Sequence, residues 1–317
     1  MASRPLSRRL RHALLAALVA ASVAVHTVGA AGPAAVPAPV PAPLPRLSLA
    51  TPAAVAARYE ANRSAVRAAE ATADAHGDHG RADTLRAMAG EDHRLLSFDG
   101  RDGGRSVEVF GDLVGATRIA VLVPGSDTRL DSHRFRSGAA ALQRELGRGG
   151  AVLAWLGYRT PATLSAAATT PGRAEEAAPL LASFVRELAD AASGARLTVL
   201  CHSYGSVVCA EAADRLPVAG LVFYGSPGTG TDRAAGLRTA ATVWAGRATG
   251  DWIARVPHVR VSLAFGEVGF GTDPVAPGFG ARVFDAGTGG HSDYLRPGSA
   301  PLRNMARIVA GRDPADA

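Results

Sequence analysis

The sequence predicts an α/β fold: a mostly parallel, doubly wound sheet of about eight strands, preceded by an N-terminal helical extension. Two observations predict this class. Short runs of consecutive apolar residues recur after residue 94, and such continuous apolarity indicates strands buried on both faces, as in a parallel sheet. Segments in which apolar residues recur every three or four positions separate these runs, which indicates helices between the strands.

Residues 1–30 differ in composition from the rest of the chain. Four arginines within residues 4–11 precede the apolar stretch from Ala13 to Val25, and the small residues of Val28-Gly29-Ala30 follow it. This order is typical of a secretory signal peptide, so we expect cleavage near Ala30 and a secreted or extracytoplasmic protein. The stretch is shorter than the ~20 residues that a membrane-spanning helix needs. Arg8-Arg9 leaves both general and twin-arginine export open.

The formal net charge of +6 falls to about +2 once the four arginines of the signal segment are removed. This charge is too weak and too evenly spread for a nucleic-acid-binding protein. All 34 basic residues are arginines, which excludes chemistry that needs a lysine amine, such as pyridoxal phosphate attachment. No cluster of residues has metal-ligand spacing, so we expect no metal site. The sequence does not determine the oligomeric state.

The elements follow in a simple order. Residues 31–50 are rich in proline and alanine and predict an extended linker, residues 51–93 predict the helical extension, and residues 94–317 predict the α/β domain. A Gly/Asp-rich turn between the first two strands indicates an antiparallel hairpin. The predicted strands are Leu95–Phe98, Ser106–Phe110, Ile119–Val123, Val152–Leu156, Leu197–Cys201, Leu221–Tyr224, Thr242–Ala245 and Arg282–Phe284. Helical spacing covers Phe135–Leu146, Leu181–Leu188 and Leu302–Val309.

The most informative segment is Cys201-His202-Ser203-Tyr204-Gly205. It joins an apolar strand to a segment with helical composition, which is the context of a G-x-S-x-G nucleophile elbow. Small residues two positions before and after the serine let the strand and the helix approach closely, although Cys201 replaces the first glycine. Ser203 is therefore the predicted nucleophile. His202 is expected to line the pocket or to pack under the turn.

Both cysteines of the chain, Cys201 and Cys209, lie at this turn. A helix after Gly205 would place Cys209 on the face that packs against the strand ending in Cys201. An exported protein can oxidise such a pair. The sequence leaves a disulfide and two buried thiols as equal alternatives.

A nucleophilic serine needs a histidine base and an acid that orients it, and after an elbow they follow in the order serine, acid, histidine. Of the two histidines after Ser203, His291 lies beyond the last predicted strand in a glycine-rich loop and is the predicted base, whereas His258 is expected to support a surface strand. Ser292 or Asp293 is a candidate cap for the next helix. Asp251, just past a strand end, is the leading acid. The other candidates are Asp273, the runner-up, Asp232, Glu267 and Asp285.

An oxyanion hole needs backbone amides that point at the developing negative charge. One predicted donor is the amide of Tyr204, directly after the nucleophile. The second is expected from the loop after Ile119–Val123, where the amides of Gly125 and Ser126 are the candidates.

With these residues in place, the chain resembles the α/β-hydrolase superfamily, and within it a bacterial family of exported α/β hydrolases whose function is largely unassigned. The resemblance runs from about Thr51 to the C-terminus. It implies Ser203, Asp251 and His291 as a triad, and esterase-like acyl hydrolysis without a cofactor. The motifs that carry it are Phe110-Gly111-Asp112-Leu113, Val123-Pro124-Gly125, His202-Ser203-Tyr204-Gly205-Ser206 and His291-Ser292-Asp293-Tyr294-Leu295.

We therefore predict a secreted serine hydrolase that cleaves a small-molecule or lipid ester, with no nucleic-acid partner. Two alternatives stay open. One is an acyltransferase that uses the same triad to acylate an alcohol of the cell envelope, with which the protein would then associate. The other is a non-catalytic binding protein on a hydrolase scaffold.

Overall fold

The computed structural model describes residues 37–263 and 266–314. The predicted signal peptide and the first residues of the predicted linker lie outside the described residues. The helices are α1 (Pro52–Ala75), α2 (His79–Met88), α3 (His133–Leu146), α4 (Gly172–Ala191), α5 (Gly205–Ala212) and α6 (Ala300–Val309). The strands are β1 (Leu95–Asp99), β2 (Arg105–Phe110), β3 (Arg118–Val123), β4 (Gly150–Leu156), β5 (Arg196–His202), β6 (Gly220–Tyr224), β7 (Thr242–Gly246), β8 (Val261–Leu263), β9 (Gly266–Val268) and β10 (Arg282–Val283).

Eight of these strands form one sheet in the order β1-β2-β4-β3-β5-β6-β7-β10. The β1–β2 and β2–β4 pairs are antiparallel, and every other neighbouring pair in the sheet is parallel. The mostly parallel sheet of eight strands that the sequence predicts is therefore confirmed. Strands β8 and β9 form a separate antiparallel ribbon.

Two apolar layers bury the two faces of the sheet. Helices α4 and α5 cover one face with side chains such as Val185 and Val208. Helices α3 and α6 cover the other face with side chains such as Leu142 and Met305. Consecutive residues of the central strands alternate between these layers, so both kinds of position must be apolar. This is why the strands are continuous apolar runs in the sequence.

The N-terminal helices pack against the first strand of the sheet. Val66 of α1 and Leu85 of α2 are fully buried in a third apolar cluster, which also contains Leu95 and Phe98 of β1. The Asn62 side chain donates a hydrogen bond of 3.0 Å to the Leu95 carbonyl oxygen. Within the described ranges, no helix is long and apolar enough to cross a membrane.

The two cysteines form a disulfide bond, with their Cα atoms 6.4 Å apart. Cys201 near the end of β5 and Cys209 in α5 are both fully buried. The bond therefore ties together the strand and the helix that flank Ser203. Of the two alternatives that the sequence leaves open, the structure adopts the disulfide.

We expect the double variant Cys201→Ala/Cys209→Ala to lose about 2–3 kcal/mol of unfolding free energy, because the cross-link restricts the unfolded chain. The sequence separation of 8 residues makes the loop short, which keeps the effect moderate. Urea unfolding of the variant and the wild type measures the loss. Ser137→Ala, a change on the exposed side of α3, is the control and should leave the midpoint in place. A double variant as stable as the wild type would contradict this prediction.

Candidate active site

Ser203 lies at a sharp turn between β5 and α5, with a backbone φ of +53°. This left-handed conformation is uncommon for a residue other than glycine. The Ser203 amide is held by a hydrogen bond of 3.1 Å to the Tyr224 carbonyl oxygen of the neighbouring strand β6. A Cβ atom at Gly205 would lie only 2.6 Å from the Pro124 carbonyl oxygen. Only glycine therefore permits this approach between the helix and the loop after β3, as the elbow motif requires.

The structure brings Ser203, His291 and Asp251 together in one series of hydrogen bonds. The Ser203 hydroxyl lies 2.9 Å from His291 Nε2 and donates to it when the imidazole is neutral with its proton on Nδ1. His291 Nδ1 lies 2.8 and 3.0 Å from the two carboxylate oxygens of Asp251. Residues that are 88 and 40 positions apart in the chain are thus adjacent in space. These are the three residues that the sequence selects.

The Asp251 carboxylate is almost fully buried, at 2% exposure. Besides His291, the Tyr294 hydroxyl and the Ile253 amide donate hydrogen bonds to it, at 2.5 and 2.9 Å. Burial by itself raises the pKa of Asp251, but the hydrogen bonds from His291, Tyr294 and Ile253 outweigh it and hold this pKa below its ordinary value. Asp251 is therefore an anion at neutral pH, suited to orient the imidazole and to stabilise its protonated form.

The other candidate acids have different partners. Asp273 pairs with Arg247 and lies 3.9 Å from His258, so the runner-up acid and the second histidine belong to a separate cluster. Asp285 accepts a hydrogen bond from the Gly287 amide within its own turn. The remaining two, Asp232 and Glu267, lie within 4.0 Å of the Arg260 guanidinium.

The helix that follows the His291 loop is capped by a different residue from the two candidates in the sequence. Helix α6 begins at Ala300, and the Ser299 hydroxyl caps it by accepting a hydrogen bond from the Leu302 amide. The expectation that Ser292 or Asp293 caps this helix is wrong, because several tight turns separate them from it. The Asp293 carboxylate instead accepts from the Gly290 amide at 2.9 Å and shapes the turn that presents His291.

Two residues for which the sequence predicts no hydrogen bond to these three residues contact His291 and Asp251. His202 Nε2 lies 2.8 Å from the His291 carbonyl oxygen and donates to it, so it holds the backbone of the base. The His202 and His291 rings pack with centroids 4.7 Å apart. The Tyr294 hydroxyl donates to Asp251 and accepts from the Ala248 amide. His202 thus lines the pocket, which is one of the two positions expected for it, and it also holds the His291 backbone.

The predicted oxyanion donors lie beside Ser203. A Cβ atom at Gly125 would be 2.6 Å from the Ser203 Cβ, so this loop lies directly against Ser203. Ser126 lines the pocket above Ser203. Within the described part of the chain, the amides of Tyr204, Gly125 and Ser126 donate to no backbone carbonyl. They are therefore free to bind an oxygen atom of a ligand.

The His202 imidazole predicts a pH dependence of stability. Burial, and then the proximity of His291, lower its pKa from 6.5 to about 3. Between these two values the unfolded chain binds a proton that the folded chain does not. The unfolding free energy should therefore fall by up to about 1.4 kcal/mol per unit as the pH decreases below 6.5.

We expect His202→Gln to flatten this part of the stability profile, because glutamine has no proton to bind in this range. Urea unfolding at a series of pH values between about 4 and 7 measures the slope of each protein. His76→Gln, a change at an exposed histidine after α1, is the matched control and should keep the wild-type slope. An unchanged slope in His202→Gln would contradict the assignment.

A cavity of about 380 Å³ opens above Ser203. It lies at the small end of the ~300–1,000 Å³ range of small-molecule sites. The loop after β3, the start of α3, Trp252 and the His291 loop line it. Among residues 37–263 and 266–314, no three His, Cys, Asp or Glu side chains are grouped so as to hold a metal ion.

A family model described as alpha/beta hydrolase matches residues 99–261, which is about half of the chain. The chain belongs to the α/β hydrolase family. The matched region of this hydrolase contains Ser203 and Asp251, whereas His291 lies beyond it. The eight-stranded, mostly parallel sheet agrees with this assignment.

The curated relatives of this α/β hydrolase are uncharacterized proteins. One from Mycobacterium tuberculosis is 31% identical over an alignment of 255 positions, which covers 68% of this chain and 38% of that protein. The chain therefore spans about two-fifths of the length of this relative. Another, from Mycobacterium bovis, is 35% identical over an alignment of 165 positions, which covers 46% of this chain and 61% of that protein.

Two solved structures are also similar to this chain. One is an α/β serine hydrolase without a lid from Xanthomonas campestris, with a TM-score of 0.45 and 18% identity over 69% of this chain and 94% of that chain. The other is esterase PE8, with a TM-score of 0.45 and 15% identity over 65% of this chain and 98% of that chain.

Proposed function

We propose that this α/β hydrolase is a serine-dependent carboxylic-ester hydrolase in which Ser203, His291 and Asp251 form the catalytic triad. The observation that carries the proposal is the unbroken series of hydrogen bonds from the Asp251 carboxylate through the His291 imidazole to the Ser203 hydroxyl. A serine hydroxyl becomes a nucleophile when such a base accepts its proton. The series ends at an open cavity, where an ester can reach it.

In the proposed mechanism, Ser203 Oγ attacks the ester carbonyl carbon while His291 Nε2 takes the hydroxyl proton. The negative charge that develops on the carbonyl oxygen is stabilised by the amide of Tyr204 and by that of Gly125 or Ser126. Asp251 stabilises the imidazolium, which then gives its proton to the leaving alcohol. Water attacks the acyl-enzyme in the same way, the acid leaves, and Ser203 regains its proton.

The proposal extends to an extracytoplasmic location. Its support is the Cys201–Cys209 disulfide, since disulfides persist in oxidising compartments, together with the pattern of residues 1–30. Sequencing the N-terminus of the protein recovered outside the cytoplasm of its host tests this. A chain that starts near residue 31 is expected, and a chain that stays in the cytoplasm with its first 30 residues intact would contradict it.

Stoichiometric labelling with a fluorophosphonate tests the proposed function, because this probe reacts with activated serines. We expect one equivalent of label per chain, mapped by mass spectrometry of peptides to Ser203, and loss of p-nitrophenyl acetate hydrolysis in proportion to labelling. Heat-unfolded protein is the control and should remain unlabelled. A folded protein that neither reacts nor hydrolyses the ester would be a binding protein on a hydrolase scaffold, and the proposal would be wrong.

A further inference from the structure

Several polar groups in the pocket above Ser203 have no partner within the described part of the chain. The side-chain hydroxyls of Ser126 and Thr128 and the Arg134 guanidinium form no hydrogen bond or ion pair there. Asp127 uses one carboxylate oxygen to accept from the Thr163 amide at 3.1 Å, and its other oxygen remains free. The pocket therefore offers both donors and acceptors to a ligand.

The clearest of these groups is the Tyr224 hydroxyl. Tyr224 is only 3% exposed, and its ring packs against those of His202 and Tyr294, with centroids 5.0 and 5.3 Å away. Among the described residues its hydroxyl has no hydrogen-bond partner. The hydroxyl oxygen is also not completely enclosed by protein atoms. Tyr224 lines the pocket, and we infer that its hydroxyl faces the cavity there. Buried tyrosine hydroxyls normally find a partner, so an oxygen atom of the ligand is expected at this point.

The charges around the pocket indicate a neutral ligand. The Arg134 cation and the Asp127 anion both line it, so neither a strongly anionic nor a strongly cationic ligand is favoured. Hydroxyl groups both donate and accept, and neighbouring hydroxyls of one ligand can satisfy the guanidinium, the carboxylate and the phenol together. A ligand rich in hydroxyl groups therefore fits this set of partners best.

Trp252 indicates where a ring of such a ligand would lie. Its indole is 44% exposed and packs against the His291 ring with centroids 4.7 Å apart. The leaving alcohol receives its proton from His291, so the alcohol part of the ester lies beside Trp252. An exposed indole offers a flat apolar face to the C–H groups of a sugar ring while its rim stays in water.

From these observations we propose that the natural substrate is a short-chain acyl ester of a sugar or a similar cyclic polyol, with the polyol as the leaving alcohol. The inference rests on the proposed hydrolase function. The cavity volume of about 380 Å³ agrees with it. At roughly 30 Å³ for each water-sized group, this volume holds about a dozen such groups, close to the size of one hydroxylated six-membered ring, so the acyl chain must be short and part of the ester must lie at the open mouth of the cavity.

The test compares two acetate esters with the same acyl group, 6-O-acetyl-glucose, which keeps its other hydroxyls free, and n-butyl acetate, by the rate of acetate release from the full-length protein. We expect kcat/KM to be about 10-fold or more higher for the sugar ester. Tyr224→Phe removes only the hydroxyl and should lower kcat/KM for the sugar ester by about 3- to 10-fold, mainly by raising KM. The decrease in kcat/KM for butyl acetate should be smaller. Tyr59→Phe, a tyrosine of α1 remote from the pocket, is the matched control and should change neither substrate.

A second pair of variants keeps the test independent of any packing defect at Tyr224. Arg134→Gln should raise KM for the sugar ester several-fold, whereas Arg144→Gln, an exposed arginine further along the same helix, should leave it unchanged. Equal or faster hydrolysis of butyl acetate, with no selective effect of Tyr224→Phe and Arg134→Gln, would overturn the substrate inference and leave the hydrolase function in place. Failure to hydrolyse either ester, with no fluorophosphonate labelling, would overturn both.

Discussion

Ser203→Ala is expected to lower kcat for ester hydrolysis by about 10⁵- to 10⁶-fold, because it removes the atom that forms the acyl-enzyme. The rate that remains should come only from binding of the ester and from the backbone amides that stabilise the oxyanion. The fluorophosphonate should no longer label the protein. Steady-state rates with p-nitrophenyl acetate and mass spectrometry of the labelled protein measure the two effects.

The matched control for this experiment is Ser137→Ala, which removes a hydroxyl from the exposed surface of α3. It should hydrolyse and label like the wild type. Far-UV circular dichroism and the unfolding midpoint establish that Ser203→Ala is folded. A folded Ser203→Ala protein that still turns over the ester or still labels would exclude Ser203 as the nucleophile.

Asp251→Asn is expected to lower kcat by about 10⁴-fold while the protein stays folded. The asparagine amide can donate to His291 Nδ1, which favours the imidazole tautomer with its proton on Nε2. This tautomer cannot accept the Ser203 proton. The buried anion that stabilises the imidazolium is also lost. Values of kcat measured from about pH 6 to pH 9 should remain low throughout for the variant.

Asp273→Asn is the control for the acid. Asp273 was the runner-up in the sequence, and it pairs with Arg247 instead of His291. We expect Asp273→Asn to lower kcat by less than about 10-fold, because Asp273 contacts Arg247, in the loop that follows β7, and not His291. A larger loss of kcat in Asp273→Asn than in Asp251→Asn would show that Asp251 is not the acid.

The fold was predictable because its pattern is local. All eight predicted strands occur in the main sheet, and the hairpin at its edge is β1 with β2. A central strand in a parallel sheet must be apolar on both faces, so it appears in the sequence as a continuous apolar run. Such a run can be recognised without knowing which strands lie beside it. The helical structure of the N-terminal region was predictable for the same reason, since α1 and α2 carry their own apolar spacing and the turn between them.

The three hydrogen-bonded residues were predictable because chain order restricts the choice. Only two histidines follow Ser203, and just one of them follows the last strand of the main sheet. The acid was less restricted, since five candidates follow the nucleophile. Its selection depended on Asp251 lying just beyond the end of β7, where parallel sheets bring side chains together.

The sequence by itself determined the sheet, the strand–turn–helix around Ser203 and the selection of Ser203, Asp251 and His291, because each depends on spacing and order along the chain. Only the tertiary structure decided which groups surround these three residues: the Cys201–Cys209 disulfide, His202 on the His291 carbonyl, Tyr294 on Asp251, and Tyr224, whose hydroxyl has no partner among the residues that the structure describes. These contacts join segments far apart in the chain, and a buried polar group reveals its role only through the partner that it meets or lacks in space. In the sequence, Tyr224 is the last residue of a predicted strand and Tyr294 belongs to the His291 motif, and neither position shows what its hydroxyl contacts.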